Sequence, residues 1–400
     1  MKKITIIGSF ILFSISIVGQ VPKSTVEGNN KFAFELFHKL KPDRHSKNLI
    51  FSPFSVSSVL AMTYAGARNE TQSEMSRTLH FSLKQNNVNS DFDTLLKKIT
   101  INRGSVQLTI ANSLWAQKDS KFLDSYFNLI KSYYKAELQN VDFVNSDERE
   151  KTRLMINKWV ENKTNNKIKD IMKPGILDDY SSLVLVNAIY FSGKWAIPFN
   201  RENTLRDTFH LTAKKSIETP FMKNTLKLKY FENDKLQSVE IPYMGNKITM
   251  IIVLPKIKTG VEELDKSITY KSYKQMLDSM KNETVELTMP KFQMTSYFQL
   301  EHILKNMGMK ISFSENADFS GMTGDSTLSI DRVIHKAFID ISEEGNEIPP
   351  SKVVAMGPSA SPQNRQAKTF LADHPFLFLI KDEETGSILF MGKINKPELK

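Results

Sequence analysis

Hydrophobic residues recur along this chain with a helical period in the first half and an alternating period in much of the second. Apolar positions three and four residues apart indicate a helix, whereas alternation or a short β-branched run indicates a strand. Helices are predicted over residues 29–41, 53–67, 122–138, 152–172, 261–280 and 300–307. Strands are predicted over residues 106–117, 183–195, 208–211, 227–231, 237–243, 247–254, 285–294, 328–341, 375–380 and 387–394. Helices that precede a run of strands favour an α+β fold.

Two positions within these elements carry a local signal. Ser52 and Pro53 stand at the start of the second helix, and a capping serine followed by proline is typical of a helix start. Asn187 interrupts the apolar strand 183–195. Because a buried amide needs hydrogen-bond partners, we expect Asn187 to organise a polar network in the core.

About thirty residues between positions 341 and 375 show neither period and are rich in Ser, Pro, Gly, Ala and Gln. They lie between the apolar run 333–341 and the alternating strand 375–380. A structureless loop of this length inside a compact domain is usually functional or disordered. The segment is therefore the first candidate for a functional site.

The first nineteen positions, residues 1–19, are typical of an export signal: Lys2 and Lys3, an apolar run 4–18, then Gly19 before Gln20. The apolar run is shorter than the roughly 20 residues that a bilayer-spanning helix needs. No other stretch is apolar enough to span a membrane. We expect a secreted, extracellular protein without a membrane span, whose mature chain begins near Gln20.

The composition favours a single compact domain without disulfide bonds. The chain is 40% hydrophobic and 24% charged, and no linker interrupts residues 20–400, which we interpret as one domain. The chain has no Cys, which excludes disulfides, thiol catalysis and thiolate metal sites. Burial alone must stabilise the fold, and a chain of this length can supply it.

The net charge is +10, or +8 once Lys2 and Lys3 leave with the signal. A surplus of this size could favour weak contact with acidic glycans, anionic lipid or acidic proteins. The basic residues are mostly scattered, which favours a solvated surface instead. The densest group lacks interleaved aromatic residues, which argues against nucleic-acid binding; it comprises Lys39, Lys41, Arg44, His45 and Lys47.

The sequence contains weak glycosylation signals and no recognisable catalytic motif. Asn69, Asn162 and Asn282 each begin an N-x-S/T triplet, a weak signal for glycosylation of an exposed asparagine in a secreted chain. The sequence has no nucleophile elbow, P-loop, HExxH or GxGxxG motif, and its seven histidines are scattered. We therefore predict that the protein is not an enzyme and needs no metal or cofactor.

Six segments, in order along residues 32–397, resemble the serpin family of serine protease inhibitors. They are NLIFSPFSVSSVLAMTYAGARNET, LVLVNAIYFSGKW, VELTMPKFQ, ADFSGM, HKAFIDISEEGNE and DHPFLFLIKDEETGSILFMGKI. The resemblance implies a monomer with three β-sheets, eight to nine helices and an exposed reactive loop at about residues 343–370. It implies a serine protease as partner.

The resemblance also assigns residues to two regions of the main sheet. Ser52, Ser55, Asn187 and His335 match a polar cluster beneath its centre, where strands must part. At the top, where the loop enters, the matching residues are Gly193, Trp195, Thr204, Lys291 and Glu343. In that role His335 is a structural hydrogen-bonding residue and not a base.

In this family a protease cleaves the loop and forms an acyl-enzyme, and the freed loop then inserts as a central strand before water can release the protease. The hinge here consists of Glu343, Glu344, Gly345, Asn346, Glu347, Ile348, Pro349 and Pro350. Inhibitory members carry Thr or Ser where this chain has Asn346, and small residues where it has Ile348, Pro349 and Pro350. Proline lacks the N–H that a central strand donates. The hinge therefore predicts slowed insertion.

The scissile bond has several candidates. Counting fifteen residues with Gly345 as the first gives Ser359-Ala360, whereas counting back from Pro375 indicates residues 360–364. Met356 or Ser359 would suit an elastase-like or chymotrypsin-like protease. Arg365 and Lys368 would suit a trypsin-like one, although neither lies at the expected register.

Two functions remain open from the sequence. One is a secreted serpin that engages extracellular serine proteases through the loop, with covalent inhibition weakened by the Ile-Pro-Pro hinge. The other is a non-inhibitory serpin that acts by binding, as a decoy or modulator of a protease cascade, a carrier or a chaperone. The collagen-chaperone branch would need a retention signal, which the C-terminal residues 397–400 do not form. In a third interpretation the loop is a surface segment without a role.

Overall fold

The computed structural model describes residues 20–40, 48–82, 84–103, 106–346 and 367–399. The predicted signal sequence lies outside these residues, and so do Lys41, Arg44, His45 and Lys47. Most of the predicted loop also lies outside them, including Glu347, Ile348, Pro349, Pro350, Met356, Ser359, Ala360 and Arg365. Among the helices that are described, none is both long and apolar enough to cross a bilayer.

The described residues form ten α-helices, of which the last is a single turn. They are α1 (Lys23–Lys39), α2 (Pro53–Gly66), α3 (Asn69–Thr78), α4 (Gln85–Ile99), α5 (Asp124–Leu129), α6 (Ser146–Lys163), α7 (Val261–Ser267), α8 (Tyr270–Asp278), α9 (Glu301–Met307) and α10 (Ser320–Thr323). A π-helical turn, Ile130–Tyr134, continues α5, and short 3-10 turns lie at Arg201–Asn203 and Ile311–Phe313.

The strands belong to two hydrogen-bonded sheets. They are β1 (Leu49–Phe51), β2 (Ile101–Arg103), β3 (Val106–Gln117), β4 (Glu137–Val141), β5 (Leu183–Lys194), β6 (Leu205–Thr212), β7 (Lys215–Glu232), β8 (Leu236–Pro242), β9 (Ile248–Pro255), β10 (Lys281–Pro290), β11 (Phe292–Gln299), β12 (Arg332–Ser342), β13 (Gly345–Asn346), β14 (Lys368–Leu371), β15 (Phe376–Asp382) and β16 (Ile388–Ile394).

The larger sheet has nine strands in the order β1-β16-β15-β9-β8-β7-β10-β14, with β6 also paired to β7. Strand β7 is long enough to pair with β6 at its start and β8 at its end. The resemblance implies three β-sheets. Because β7 belongs to two of them, these two form one continuous hydrogen-bonded sheet here. The α+β class predicted from the sequence is confirmed by this mixture of helices and sheets.

The smaller sheet, called the central sheet here, has the order β11-β12-β13-β5-β3-β2, with β4 on the edge of β3. In its lower part β12 and β5 pair directly and in parallel, residues 332–337 against residues 184–189. Above this pairing the two strands are separated by β13, which is antiparallel to both. The central sheet is thus already parted at one end.

Helix α2 lies behind this parting and packs against β3, β5 and β16. All fourteen of its residues are buried. Its start follows the sequence prediction: Pro53 is the first helical residue, and the Ser52 side chain accepts a hydrogen bond from the Ser55 backbone N–H. A buried helix start places Ser52 and Ser55 directly beneath the strands that part.

Several predicted elements have different bounds in the structure. The helix predicted over 29–41 begins at Lys23, and the strand predicted over 227–231 is the end of the 18-residue β7. The helix predicted over 152–172 is α6, which begins earlier because Asn145 caps it and ends at Lys163. The helix predicted over 261–280 is divided into α7 and α8, because Thr269 caps α8 through a capping box. The helix predicted over 122–138 ends at the π-helical turn and is followed by β4, and the strand predicted over 285–294 is divided between β10 and β11 at Lys291.

Candidate functional site

The structure brings the predicted site residues together in two clusters along the line where β5 and β12 meet. The lower cluster, beneath the parallel pairing, contains Ser52, Ser55, Asn187 and His335 together with Asn112 and Ser58. The upper cluster, around the start of the hinge, contains Trp195, Thr204, Lys291 and Glu343 together with Arg201 and Glu344. Gly193 lies beside the hinge on β5.

His335 and Asn187 are opposite each other on β12 and β5. The Nδ1 of His335 lies 2.6 Å from the Asn187 Oδ1, and its Nε2 accepts a hydrogen bond of 3.0 Å from the Ser52 backbone N–H. Because Nε2 accepts, Nδ1 carries the proton and donates it to the amide oxygen. The imidazole therefore links both strands to the start of α2.

The amide nitrogen of Asn187 completes the lower cluster. It donates to the Ser55 side chain and backbone carbonyl and to the Asn112 Oδ1, and the Asn112 Nδ2 donates to the Ser58 Oγ at 2.9 Å. All these side chains are buried. The network therefore supplies partners to each of these polar groups, as a buried polar network must.

Burial lowers the pKa of His335 from its ordinary value to about 3. The imidazole is therefore neutral at physiological pH. Its described hydrogen bonds are those to the Asn187 side chain and the Ser52 backbone.

Glu343 is the centre of the upper cluster. Its carboxylate lies 2.8 Å from the Lys291 Nζ and accepts a hydrogen bond of 2.9 Å from the Thr204 Oγ1. Burial acts to raise the pKa of Glu343, but hydrogen bonds from Lys291, its own backbone and Thr204 outweigh it and hold the pKa below its usual value. The carboxylate is therefore ionised and fixed between β10, β11 and the turn before β6.

Trp195 fixes the backbone of the turn between β12 and β13. Its indole Nε1 donates to the Ser342 carbonyl and its backbone N–H to the Glu344 carbonyl, both at 2.9 Å. Its ring stacks on Tyr243 with centroids 4.4 Å apart. Arg201 adds a 2.6 Å ion pair with the Glu344 carboxylate. These contacts thus direct the backbone after Glu344 into the space between β5 and β12.

Two glycines permit the close approach of β13 to β5. A Cβ on Gly193 would lie 2.9 Å from the rings of both Phe191 and Tyr243. Gly345 has φ +133°, and a Cβ on it would lie 2.0 Å from the Gly193 carbonyl oxygen. Only glycine fits at either position in this arrangement.

Asn346 is the last described residue before the loop, and its side chain is completely buried in the parted sheet. Its Nδ2 donates a 2.8 Å hydrogen bond to the Phe191 carbonyl on β5. Its Oδ1 accepts a 3.0 Å hydrogen bond from the Asp340 backbone N–H on β12. The amide therefore bridges the two strands one step below the inserted backbone.

Sequence reasoning missed several members of these clusters. Asn112 had a visible signal, since it is a second amide inside an apolar strand and lies directly opposite Asn187. Arg201 and Tyr243 had no recognisable sequence signal, because their partners are distant in sequence. Lys368, predicted in the loop, lies instead in β14, where it pairs alongside β10 and forms a 2.6 Å ion pair with Glu232.

The three glycosylation candidates, Asn69, Asn162 and Asn282, are exposed. Asn69 Nδ2 also donates a hydrogen bond to the Asp318 carboxylate. In the part of the chain that the structure describes, no group of three or more His, Asp or Glu side chains is placed to hold a metal ion.

Known proteins match this chain over most of its length. The family described as Serpin (serine protease inhibitor) matches residues 27–397. Human Serpin B4 is 34% identical over 393 residues, which cover 94% of this chain and 100% of that protein. The leukocyte elastase inhibitor of Xenopus laevis is 37% identical over 376 residues, covering 92% of this chain and 97% of that protein.

The fold leads to the same family. The crystal structure of human thyroxine-binding globulin complexed with thyroxine matches with a TM-score of 0.86 and 28% identity, covering 94% of this chain and 99% of that one. The chain therefore belongs to the serpin family.

Proposed function

We propose that this protein is a secreted serpin that engages extracellular serine proteases through its loop, and that its hinge weakens covalent trapping. The observation that carries the proposal is the entry of Gly345 and Asn346 between β5 and β12. A strand that has begun to insert can continue in the same register once the loop is cut. Strand addition to an open sheet provides main-chain hydrogen bonds on both sides.

The same register defines where the hinge would be obstructed. Continuing it past Asn346 would bring Pro349 to the last open position and Pro350 opposite Ile189 and Ala337. That pair is the uppermost one that still joins β5 to β12 directly. The two prolines would therefore arrive where strand separation must begin, and neither can donate a backbone N–H to a neighbouring strand.

Slower insertion gives water more time to hydrolyse the acyl-enzyme. Two lost hydrogen bonds cost about 1 kcal/mol each. If about 1.4 kcal/mol of this appears in the insertion barrier, insertion slows about tenfold. Most encounters would then end with a cleaved serpin and a free protease.

The upper and lower clusters supply the other parts of the mechanism. Lys291, Thr204 and Trp195 hold the entrance of the hinge, whereas His335 and Asn187 hold the strands closed below it. Cleavage would occur at Ser359-Ala360, with Met356 or Arg365 as alternative reactive residues. The proposal includes export directed by residues 1–19, glycans on the three exposed asparagines, and a monomeric state.

A panel of elastase-like, chymotrypsin-like and trypsin-like proteases tests this function. The native protein is incubated with each, followed by denaturing electrophoresis, mass spectrometry of the fragments and a melting curve. We expect cleavage within residues 347–366, with a minor SDS-resistant complex and a higher melting temperature of the cleaved form. Resistance to every protease in the panel would contradict the proposal.

The second candidate is a non-inhibitory serpin that acts by binding. The Ile-Pro-Pro hinge favours it, and the structurally similar thyroxine-binding globulin binds a hormone. Cleavage without any complex and without a gain in melting temperature would support this alternative.

A further inference from the structure

We propose that the Asn346 side chain is a latch that resists insertion of the hinge beyond Asn346, because its amide occupies the partners that the next peptide group of the loop would need. The latch itself is a property of the uncleaved protein. Its effect on insertion after cleavage rests on the proposed function.

The geometry shows which peptide group the amide replaces. Asn346 lies opposite Gly193 on β5 and Ile341 on β12. Continuing that register brings residue 347 opposite Asp340 and residue 348 opposite Phe191. Alternate residues of a strand direct their backbone groups to alternate sides. The peptide group between residues 347 and 348 would therefore present its C=O to β12 and its N–H to β5.

The side-chain amide makes these same two contacts. Its oxygen accepts from the Asp340 N–H and its nitrogen donates to the Phe191 carbonyl, at 3.0 and 2.8 Å. A primary amide carries the same donor and acceptor as a peptide group. One Asn346 side chain thus provides hydrogen-bond partners for both the Asp340 N–H and the Phe191 carbonyl. Inserting the next residue would therefore add no hydrogen bond to these two groups.

Further insertion must first break both side-chain bonds. The backbone then regains two hydrogen bonds, but the displaced amide is left in a buried site and must find new partners. An unpaired buried polar group is costly, so this exchange adds to the barrier. A Thr or Ser hydroxyl is one atom and cannot reach β5 and β12 together as the amide does.

Hydrogen exchange of the uncleaved protein tests the latch directly, with Asn346→Ala and Asn346→Thr as two independent variants. We expect the Asp340 amide to exchange about tenfold faster or more in both variants, because its acceptor is lost. The amide of Ala337, in the directly paired part of β12, should be unchanged. Asn224→Ala is the matched control, since it also removes a side-chain amide bonded to a backbone carbonyl, that of Pro198.

A second arm measures insertion after the loop is cut with a protease that leaves the rest of the chain intact. Trp195, which contacts the hinge backbone, serves as the fluorescent probe. We expect Asn346→Thr to insert about tenfold faster than the native protein and Asn224→Ala at the native rate. Unchanged exchange at Asp340 in both variants would overturn the latch. Unchanged insertion rates after cleavage would overturn its effect on insertion. A protein that is never trapped with a protease would contradict the proposed function and leave the exchange result standing.

Discussion

His335 donates a 2.6 Å hydrogen bond to Asn187 across the two strands that the hinge would separate. The imidazole also accepts from the Ser52 backbone at the start of α2, so the bond is anchored beneath the sheet. Any strand that inserts this far between β5 and β12 must break it. We therefore propose that the lower cluster keeps the sheet closed independently of the hinge.

Replacing Asn187 by alanine removes the centre of this cluster. The change removes the acceptor of the His335 Nδ1–H and the donor to the Ser55 hydroxyl and the Asn112 Oδ1, all in a buried site. We expect the free energy of unfolding to fall by about 2–4 kcal/mol, measured by urea denaturation. Asn140→Ala, which removes an exposed amide bonded to the Ser120 carbonyl, should cost about 1 kcal/mol or less. Equal losses in the two variants would contradict the closure.

The low pKa of His335 predicts a specific loss of stability in acid. Its pKa is about 3 in the folded state and about 6.5 in the unfolded state, so the unfolded chain binds a proton that the native chain excludes. The contribution of His335 to the free energy of unfolding is complete above about pH 6.5 and declines as the pH falls below that value. At pH 4.5 we expect a loss of about 2–3 kcal/mol relative to pH 7 from this group.

The non-titrating variant His335→Gln isolates this contribution. The free energy of unfolding of both proteins is measured at pH 7 and pH 4.5. The native protein should lose more stability than the variant by about 2–3 kcal/mol. The same dependence on pH in both proteins would show that His335 does not titrate as described.

Lys291 is the partner that keeps Glu343 ionised at the entrance of the hinge. Lys291→Met leaves the buried carboxylate with only Thr204 and its own backbone. We expect a loss of about 1–2 kcal/mol of stability and faster hydrogen exchange at Trp195, whose N–H bonds to Glu344. Lys235→Met, which removes a strongly exposed ion pair with Glu263, should have little effect. Similar losses would argue against a fixed entrance.

The proposed secretion can be tested by the N-terminus and the glycans of the expressed protein. Expression in a eukaryotic secretory system should yield a protein that begins near Gln20 and carries glycans on Asn69, Asn162 and Asn282. Intact mass before and after deglycosylation measures both features, with an Asn→Gln change at each site as control. A chain that remains in the cytosol with residues 1–19 attached would contradict the signal sequence.

Features that depend on local sequence could be predicted. The Ser52-Pro53 helix start and the apolar strand around Asn187 are set by neighbouring residues. Helix α4 also had a local signal, since Val88, Phe92, Leu95, Leu96 and Ile99 have helical spacing, but it was missed. Helix α3 is mostly polar and buries few residues, so its hydrophobic pattern is weak.

Features that depend on pairing across the fold could not be predicted. Nothing near Asn346 in sequence specifies that β5 and β12 are parted above residues 189 and 337. The partners of the Asn346 amide are 155 and 6 residues away, on two different strands. The resemblance placed Asn346 as an unusual hinge residue, and only the three-dimensional arrangement indicates what its side chain contacts.

The partition between trapping and hydrolysis tests the central claim most directly. The native protein and an Ile348→Ala/Pro349→Ala/Pro350→Ala variant are each incubated with a protease that cuts the loop. Quantitative electrophoresis then gives the ratio of SDS-resistant complex to cleaved serpin. We predict that cleaved serpin dominates for the native protein and that the variant raises the ratio about tenfold. Native protein that traps protease almost one to one, or a variant with an unchanged ratio, would contradict the account.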